Sequence, residues 1–452
     1  MTALQQSARE HLVLHFSRPS VDDLLVLVRG EGPYVFDEAG KRYTDALSSL
    51  FCAQIGYSYG EEMAAAAARQ LTTLAFNTNW ATAHPAAIEL AERVAGVAPA
   101  GLEHVFFTSG GSESVEAAWK LAREHFLAIG EPRRMKAIAR DVAYHGVTLG
   151  ALAFTGVARF KEPFGPPAID VTHVANTNSF RAPDGHDPAA FCARLLAEVE
   201  HAVEAAGPDE VALIIIEPVQ NAGGCLVPPP GYLAGLRRIA DECGALLMAD
   251  EVICGCGRLG EWIATAREGV TPDLVSLAKG LTSAYAPMGA VIAAERVIDP
   301  IAEAGSALRH GITFGGHPLS AAIALQNMDI FERDGILENV RALTPHLADE
   351  LRTLLELPIV GDVRGDGFFW AVELVRDEAA TRFDQAERDE LLRRYLPRRL
   401  RDAGLIARTD DRGDAVLQIA PPLISDRALL DAIVGTLGEV LADAGGHMAA
   451  LR

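Results

Sequence analysis

The chain has 452 residues, 49% of them hydrophobic and 22% charged, which is enough apolar material for one large domain or two smaller ones. Its net charge of −21 argues against nucleic-acid binding, because phosphate recognition needs clustered lysine and arginine. The sequence has neither an uninterrupted apolar run of about 18 residues nor a secretory signal pattern, so we expect a cytoplasmic protein with reduced cysteines.

The middle of the chain alternates short apolar runs with amphipathic stretches. We predict strands at His104–Phe107, Lys136–Arg140, Val211–Glu217, Ala245–Glu251, Leu274–Ala278 and Gly289–Ala293. We predict helices between them at Glu113–Ile129, Pro188–Ala206 and Gly231–Cys243. This alternation predicts an α/β fold with a mostly parallel sheet and helices on both faces.

After about residue 335 the pattern changes to a charged helix and isolated strands. These elements are predicted at Gln385–Ala403, Gly367–Val375 and Ala415–Ile419. We therefore predict a large α/β domain over residues 60–335, and a smaller α+β domain formed by residues 1–59 together with 336–452.

Polar residues follow several of the predicted strands, where sites form in open α/β sheets. Gly110, Gly111 and Ser112 stand at a helix start and can bind an anion, although an ordinary helix cap has the same composition. Tyr144 follows the next strand and could stack on a planar ligand or simply pack in the core. Glu217 ends the third strand.

The fourth strand leads into Asp250 and Glu251 and then into Gly255, Gly257 and Gly260, a G-x-G-x-x-G pattern. That pattern is typical of dinucleotide-binding proteins, but two carboxylates in front of it disfavour a pyrophosphate. Cys254 and Cys256 lie in the same segment, and no second pair completes a metal site, so we predict none.

Lys279 directly follows the fifth apolar strand, although lysine is among the residues least often buried. A lone lysine there could extend to solvent. An anion site, an aromatic ring, a carboxylate and an amine at neighbouring strand ends together indicate a pyridoxal phosphate site.

From about residue 30 to residue 425 the sequence resembles the class III (omega) aminotransferases, which belong to the fold type I pyridoxal phosphate enzymes. The matching segments, in family order, include FFTSGGSESVEAAWKLAR (106–123), AYHG (143–146), IIIEPVQNAGG (214–224), LMADEVICGCGRLGE (247–261), SLAKGLTSAYAPMGA (276–290) and HGITFGGHP (310–318). The resemblance implies a fold with a mostly parallel seven-stranded sheet in the large domain.

The resemblance also implies residue roles. Lys279 would hold pyridoxal 5′-phosphate covalently and move protons, and Asp250 would keep the pyridine nitrogen protonated. The remaining cofactor-binding residues are expected to be Gly110, Gly111 and Ser112 at the phosphate, Tyr144 and Val252 on the two ring faces, His145, Glu217 as a supporting residue, and Thr313 reaching the phosphate of the neighbouring subunit of a homodimer or tetramer.

Three positions depart from the amino-acid-specific members of the family and remove polarity from the substrate side. Gln418 stands where those members have a carboxylate-binding arginine, Ala222 replaces a glutamate, and Ile253 replaces a glutamine. An apolar pocket fits an amine without a carboxylate. Leu50, Phe51, Trp80 and Val147 fall at pocket positions of the amine:pyruvate branch, although Phe51 and Trp80 could instead fill a dimer interface.

Arg408 falls where that branch carries an arginine that moves between pocket and solvent. Its segment is rich in aspartate and glycine, so we expect a flexible loop. The alternative is a surface ion pair with Asp410 or Asp411.

The predicted function is transfer of an amino group from a primary amine or omega-amino compound to a 2-oxo acid such as pyruvate, by a ping-pong mechanism. Within the family, the alternatives are an amino-acid-specific aminotransferase, an aminomutase or a decarboxylating relative. Outside it, a nicotinamide oxidoreductase using the glycine pattern or a catalytically silent cofactor-binding protein stay open.

Overall fold

A computed structural model describes residues 1–16, 24–305 and 307–451 of the chain. Its strands are β1 (Leu27–Glu31), β2 (Tyr34–Asp37), β3 (Arg42–Asp45), β4 (Leu102–Thr108), β5 (Lys136–Arg140), β6 (Asp170–Val174), β7 (Val211–Ile216), β8 (Leu246–Asp250), β9 (Leu274–Leu277), β10 (Gly289–Ala294), β11 (Val360–Asp366), β12 (Phe369–Leu374), β13 (Leu405–Ile406), β14 (Arg408–Asp410) and β15 (Val416–Ile419).

The helical segments are α1 (Ala3–His11), α2 (Ser48–Phe51), α3 (Gly60–Thr73), α4 (Pro85–Gly96), α5 (Gly111–Ala128), α6 (Leu149–Phe154), α7 (Ala158–Lys161), α8 (Pro188–Ala206), α9 (Tyr232–Cys243), α10 (Glu295–Glu303), α11 (Pro318–Arg333), α12 (Ile336–Arg352), α13 (Gln385–Glu390), α14 (Leu396–Asp402) and α15 (Arg427–Ala450). A π-helical turn, Leu391–Tyr395, separates α13 from α14, so the single helix predicted over Gln385–Ala403 is interrupted. In the described part of the chain, no helix is long and apolar enough to span a membrane.

The central sheet has seven strands in the order β4-β10-β9-β8-β7-β5-β6. β10 runs antiparallel to both neighbours, and the other neighbouring strands are parallel. Strands β7, β8, β9 and β10 are buried along their whole length, which explains their near-continuous apolar sequences. The predicted α/β fold with a mostly parallel seven-stranded sheet is therefore confirmed.

Two four-stranded sheets lie outside the central sheet. One has the order β1-β2-β3-β13, and its β13 pairs in parallel with β3, so it joins the beginning of the chain to residues 405–406. The other has the order β11-β12-β15-β14. Both contain segments that were assigned to the small domain, but the boundaries at residues 59/60 and 335/336 stay a prediction.

The glycine pattern after β8 does not open a helix, and residues 251–260 form a series of turns. Gly257 and Gly260 have φ angles of +87° and +85°, and a Cβ atom on Gly257 would lie 2.8 Å from Leu423 and Phe331 side-chain atoms. The glycines thus serve turn geometry and close packing. The dinucleotide interpretation of this segment is wrong, because a pyrophosphate site needs a helix N-terminus there.

Arg258, inside this segment, is completely buried. Its guanidinium donates hydrogen bonds to Ser48 Oγ, Gln54 Oε1 and the carbonyls of Phe368 and Pro421. Burial lowers its pKa to about 9. The side chain thereby joins segments from the beginning, the middle and the end of the chain.

Candidate active site

A cavity of about 440 Å³ lies at the ends of the central strands β4, β5, β7, β8 and β9. It is lined by the predicted residues Gly110, Gly111, Ser112, Tyr144, His145, Glu217, Asp250, Val252 and Lys279. The strands β4, β5, β7, β8 and β9 all end at this edge of the sheet. Gly110 and Lys279, which are 169 positions apart in the chain, therefore meet at one place.

Lys279 follows β9 and is half-buried in the cavity wall. Its φ angle is +41°, which is costly for a side-chain-bearing residue and persists only where the surroundings enforce it. Its ammonium forms no hydrogen bond or ion pair with any residue in the described ranges. The Nζ atom is thus available for contact with a ligand in the cavity.

Asp250 ends β8 with a buried carboxylate. Oδ1 accepts hydrogen bonds from Ser276 Oγ at 2.9 Å and from the Val252 N–H at 3.2 Å, and Oδ2 lies 2.7 Å from His145 Nδ1. The His145 ring is also buried. These contacts fix the orientation of the carboxylate toward the cavity.

The anion site lies at the start of α5, an 18-residue helix whose cap residue is Gly110. Unpaired N–H groups at a helix N-terminus attract anions. Ser112 Oγ accepts the Val147 N–H at 3.2 Å, which requires Gly146, since a Cβ atom there would lie 2.4 Å from that oxygen. Ser114 Oγ donates to the Leu277 carbonyl at 3.2 Å and so connects this helix to the strand before Lys279.

Glu217 acts on Tyr144 through the backbone. Its Oε1 accepts the Tyr144 N–H at 3.1 Å and its Oε2 accepts the Asn221 N–H at 3.0 Å. Burial raises the pKa of Glu217. The Arg412 guanidinium lies 5.5 Å from the centre of the Tyr144 ring.

A second cavity of about 700 Å³ shares Tyr144, Ile253 and Lys279 with the first. Its wall includes the predicted substrate residues Leu50, Phe51 and Arg408. Leu50 and Phe51 belong to α2, where Ser48, Ser49, Leu50 and Phe51 all have positive φ, so α2 is a left-handed turn. Successive left-handed residues other than glycine are costly, and here they direct Leu50 and Phe51 to the cavity wall.

Arg408 lies in β14 and pairs with Gln418 of β15. The expected flexible loop is therefore wrong for residues 408–410, because ladder hydrogen bonds hold them. The surface ion pairs are also wrong, since Asp410 pairs with Arg412, and Asp411 pairs with other arginines, Arg159 and Arg393.

The guanidinium of Arg408 lines the second cavity and forms no hydrogen bond or ion pair with any residue in the described ranges. Burial, and then the neighbouring Arg412, lower the pKa of Arg408 to about 10, although the charge of Asp410 raises it. Asp410 is itself paired with Arg412. A half-buried cation in this position is suited to bind an anionic ligand.

Four predicted residues do not line either of these two cavities. Trp80 is 59% exposed and lines a separate cavity beside Gly311. Val147 contributes its N–H to Ser112, and Ala222 is completely buried. Thr313 is exposed, and its expected role concerns a neighbouring subunit, so it stays a prediction.

Sequence reasoning missed Ser276, Arg412 and Cys52, which contact or line the site. A signal existed for Ser276, because it is the polar residue in an otherwise apolar strand. Its position opposite Asp250 follows from the register of β8 and β9. Nothing in the sequence indicated Arg412 or Cys52.

Residues 16–441 match the family described as aminotransferase class-III. The chain is 48% identical over 445 residues to a probable aminotransferase of Mycobacterium tuberculosis, covering 98% of this chain and 95% of that protein. It is 36% identical over 412 residues to a putrescine–pyruvate aminotransferase of Pseudomonas aeruginosa, covering 90% and 88% of the two chains.

The structure resembles that of a thermostable (S)-enantioselective omega-transaminase from Thermomicrobium roseum. The two superpose with a TM-score of 0.93 at 38% sequence identity, and the match covers 98% of each chain.

Proposed function

The chain belongs to the class-III aminotransferase family, whose members transfer amino groups with pyridoxal 5′-phosphate bound to a lysine, and from this premise we propose that it is an amine:2-oxo acid transaminase. The donor is a primary amine or an omega-amino compound, and the acceptor is a 2-oxo acid such as pyruvate. The observation that carries this proposal is the position of Arg408 in the cavity that reaches Lys279, beside the apolar side chains of Leu50 and Phe51 and without a hydrogen bond or ion pair to the described residues.

The residues at the first cavity fit the cofactor. Four groups line this one cavity, and each suits one part of the cofactor. The amine suits the aldehyde, and the oriented carboxylate suits the ring nitrogen. The aromatic ring suits the ring face, and the helix N-terminus suits the phosphate. The corresponding side chains are Lys279, Asp250 and Tyr144, with Gly110, Gly111 and Ser112 at the helix start. When bound, the cofactor supplies an electron sink for the carbon that carries the amino group.

We assign the reaction steps to residues of this chain. Lys279 would hold the cofactor through its Nζ atom, and the same amine, once free, would carry a proton to and from the substrate carbon. Asp250 would keep the ring nitrogen of the cofactor protonated. The carbonyl product leaves before the 2-oxo acid enters, so the mechanism is ping-pong.

Different residues of the second cavity serve the two half-reactions. Leu50, Phe51 and Ile253 offer apolar surface to an uncharged amine substituent. Gln418 cannot offer a charge, and its Nε2 is engaged by the Asn221 carbonyl at 2.8 Å. Arg408 therefore binds the carboxylate of the acceptor. The alternative, an amino-acid-specific enzyme, would need the same cation in both half-reactions.

We also propose a homodimer, in which Thr313 reaches the phosphate of the neighbouring subunit. Large apolar side chains are exposed on the surface beside it: Phe76, Trp80, Ile88 and Phe314. An exposed apolar surface of this kind is typical of a protein interface. None of the six cysteines is in a disulfide, which supports a cytoplasmic location.

A spectroscopic experiment tests the proposed function. We expect the protein incubated with pyridoxal phosphate to be yellow, an amine donor alone to bleach that colour, and pyruvate to restore it. A panel of primary amines, omega-amino acids and 2-amino acids should rank the simple amines first. Bleaching by 2-amino acids alone would favour the amino-acid-specific alternative, and colourless protein would contradict the assignment of the site.

A further inference from the structure

The segment that follows β9 has an unusual backbone. Lys279, Ser283 and Ala284 have φ angles of +41°, +47° and +65°, and none of them is glycine. Each such residue is strained and persists only where neighbouring structure enforces it. Some group outside the segment must therefore hold it in place.

The side chain of Asn327, on α11, is that group. Its Nδ2 donates hydrogen bonds to the carbonyls of Gly280 at 3.0 Å and Leu281 at 3.2 Å. Its Oδ1 accepts the Ser283 hydroxyl at 2.7 Å. The amide thus binds both ends of the turn that begins at Lys279.

Asn327 does not belong to the cavity. It is completely buried, and it lines neither the first nor the second cavity. A buried amide that loses its hydrogen-bond partners destabilises the folded protein. The hydrogen bonds between Asn327 and this turn therefore hold the amide and the turn in one arrangement. The geometry accounts for the strain at Lys279 without any contact between Asn327 and a ligand.

We infer that Asn327 is a positioning residue for Lys279, holding the turn Lys279–Ala284 so that the lysine amine is presented to the cofactor aldehyde. This inference rests on the proposed role of Lys279. A displacement of about 1 Å in a reacting group can cost a hundredfold in rate, so the loss of this support should slow the reaction of the amine.

The test compares Asn327→Ala and Ser283→Ala with Asn339→Ala. Asn339 is a matched control, because its Nδ2 also donates to two carbonyls, but these belong to Leu423 and Ser425, outside the turn that begins at Lys279. Alanine is favourable in the helices that carry Asn327 and Asn339, which helps these variants to fold.

Two properties of the apoenzyme are measured. The first is the rate at which pyridoxal phosphate becomes covalently attached: Nζ bonds to the aldehyde carbon, the oxygen leaves as water, and borohydride reduction fixes the bond for mass analysis of the Lys279 peptide. The second is the affinity for pyridoxamine phosphate, which has no aldehyde and reports cofactor binding without the lysine bond.

We expect attachment to slow by roughly tenfold to a hundredfold in Asn327→Ala, by less in Ser283→Ala, and not at all in Asn339→Ala, with pyridoxamine phosphate affinity unchanged in all three. Unchanged attachment in Asn327→Ala would overturn the inference. So would an equal loss of attachment and affinity, because Asn327 would then support the whole pocket.

Two further measurements keep the test decisive. If Asn327→Ala does not fold, Ser283→Ala carries the test, and attachment at the wild-type rate in that variant would overturn the inference. Attachment of the cofactor to a lysine other than Lys279 in the unaltered protein would instead contradict the proposed function.

Discussion

His145 Nδ1 and Asp250 Oδ2 lie 2.7 Å apart, and both side chains are buried. Together with Ser276 Oγ and the Val252 N–H, the imidazole surrounds the carboxylate with three hydrogen-bonding groups. Such support is typical of a group whose orientation matters for chemistry. It gives the Asp250 carboxylate a fixed direction in the cavity.

We predict that Asp250→Asn abolishes most turnover while the protein stays folded. The amide keeps the shape of the side chain but loses the charge that holds the ring proton. Steady-state kinetics and thermal unfolding measure the two effects. Asp273→Asn is a matched control, because Asp273 is a buried acid that pairs with Arg237 and Arg296 and lines neither cavity, so it should affect stability more than turnover. Retention of most turnover by Asp250→Asn would make Asp250 a structural residue.

We predict that Lys279→Ala lowers turnover by several orders of magnitude, because the nucleophile and the proton carrier are lost together. The cofactor should still bind, but without a covalent bond, as the phosphate and ring contacts persist. Denaturing mass spectrometry and single-turnover absorbance measure both properties. Lys136→Ala, which removes a lysine paired with Glu210, should leave both unchanged. Near-normal activity in Lys279→Ala would be incompatible with the proposed site.

We predict that Arg408→Ala reduces kcat/KM for pyruvate, with an increase of about 2–5 kcal/mol in the corresponding activation free energy. This is the range for truncating one side of a shielded charge pair. Amination of the cofactor by a simple arylalkylamine should change little. Stopped-flow absorbance separates the two half-reactions. The control is Arg394→Ala, since Arg394 lines the same cavity but has a 77% exposed side chain, and its loss should cost at most about 1 kcal/mol. Equal losses in both half-reactions would indicate a disturbed strand β14.

We predict that the charge of Arg408 makes the acceptor half-reaction depend on pH near 10. The pKa of Arg408 is lowered to about 10 by burial and by Arg412. The guanidinium is therefore charged below this pH, and pyruvate binding should weaken as the pH rises through about 10. The pH profile of the pyruvate half-reaction, divided by that of Arg408→Gln, isolates this effect. A ratio that stays constant to pH 11 would show that Arg408 keeps its charge or does not bind the acceptor.

We predict that Ser49→Gly raises the free energy of unfolding by up to about 1 kcal/mol. Glycine relieves about 1–2 kcal/mol of left-handed strain, less the greater entropy of the unfolded chain. Ser49 is exposed, with φ and ψ of 45° and 57°, so its side chain contributes little packing. Ser49→Ala retains the strain and should not stabilise. Denaturant unfolding measures both, and equal stabilities would mean that α2 is not strained.

Most of the central sheet could be predicted from the sequence, because four of its strands, β7, β8, β9 and β10, are buried along their whole length. The predicted bounds of β5 and α8 agree with the structure, and those of the other predicted central strands differ from it by at most two residues at either end. β6 was missed because it is an edge strand with exposed and partly buried positions and no apolar run. An apolar sequence pattern indicates a buried strand, and a partly exposed strand at the edge of a sheet does not have such a pattern.

The residues that line the first cavity could be predicted because most of them follow a strand end, where the topology brings them together. The substrate side of the site could not be predicted in the same way, because it depends on backbone conformations that no sequence pattern indicates. The left-handed turn at Leu50 and Phe51 contains no glycine. The strand conformation of Arg408 comes from pairing with Gln418, in a segment whose composition is typical of a loop.

The contacts of Arg258 have a consequence for the order in which the protein assembles. Its four hydrogen-bond acceptors include groups at residues 48 and 421, so the turns after β8 can reach their final form only when both parts of the chain are present. During synthesis, these turns cannot reach their final form before residue 421 has left the ribosome. Contacts between such distant residues make folding slow. The turns beside the candidate active site therefore form only after the chain has been synthesised beyond residue 421.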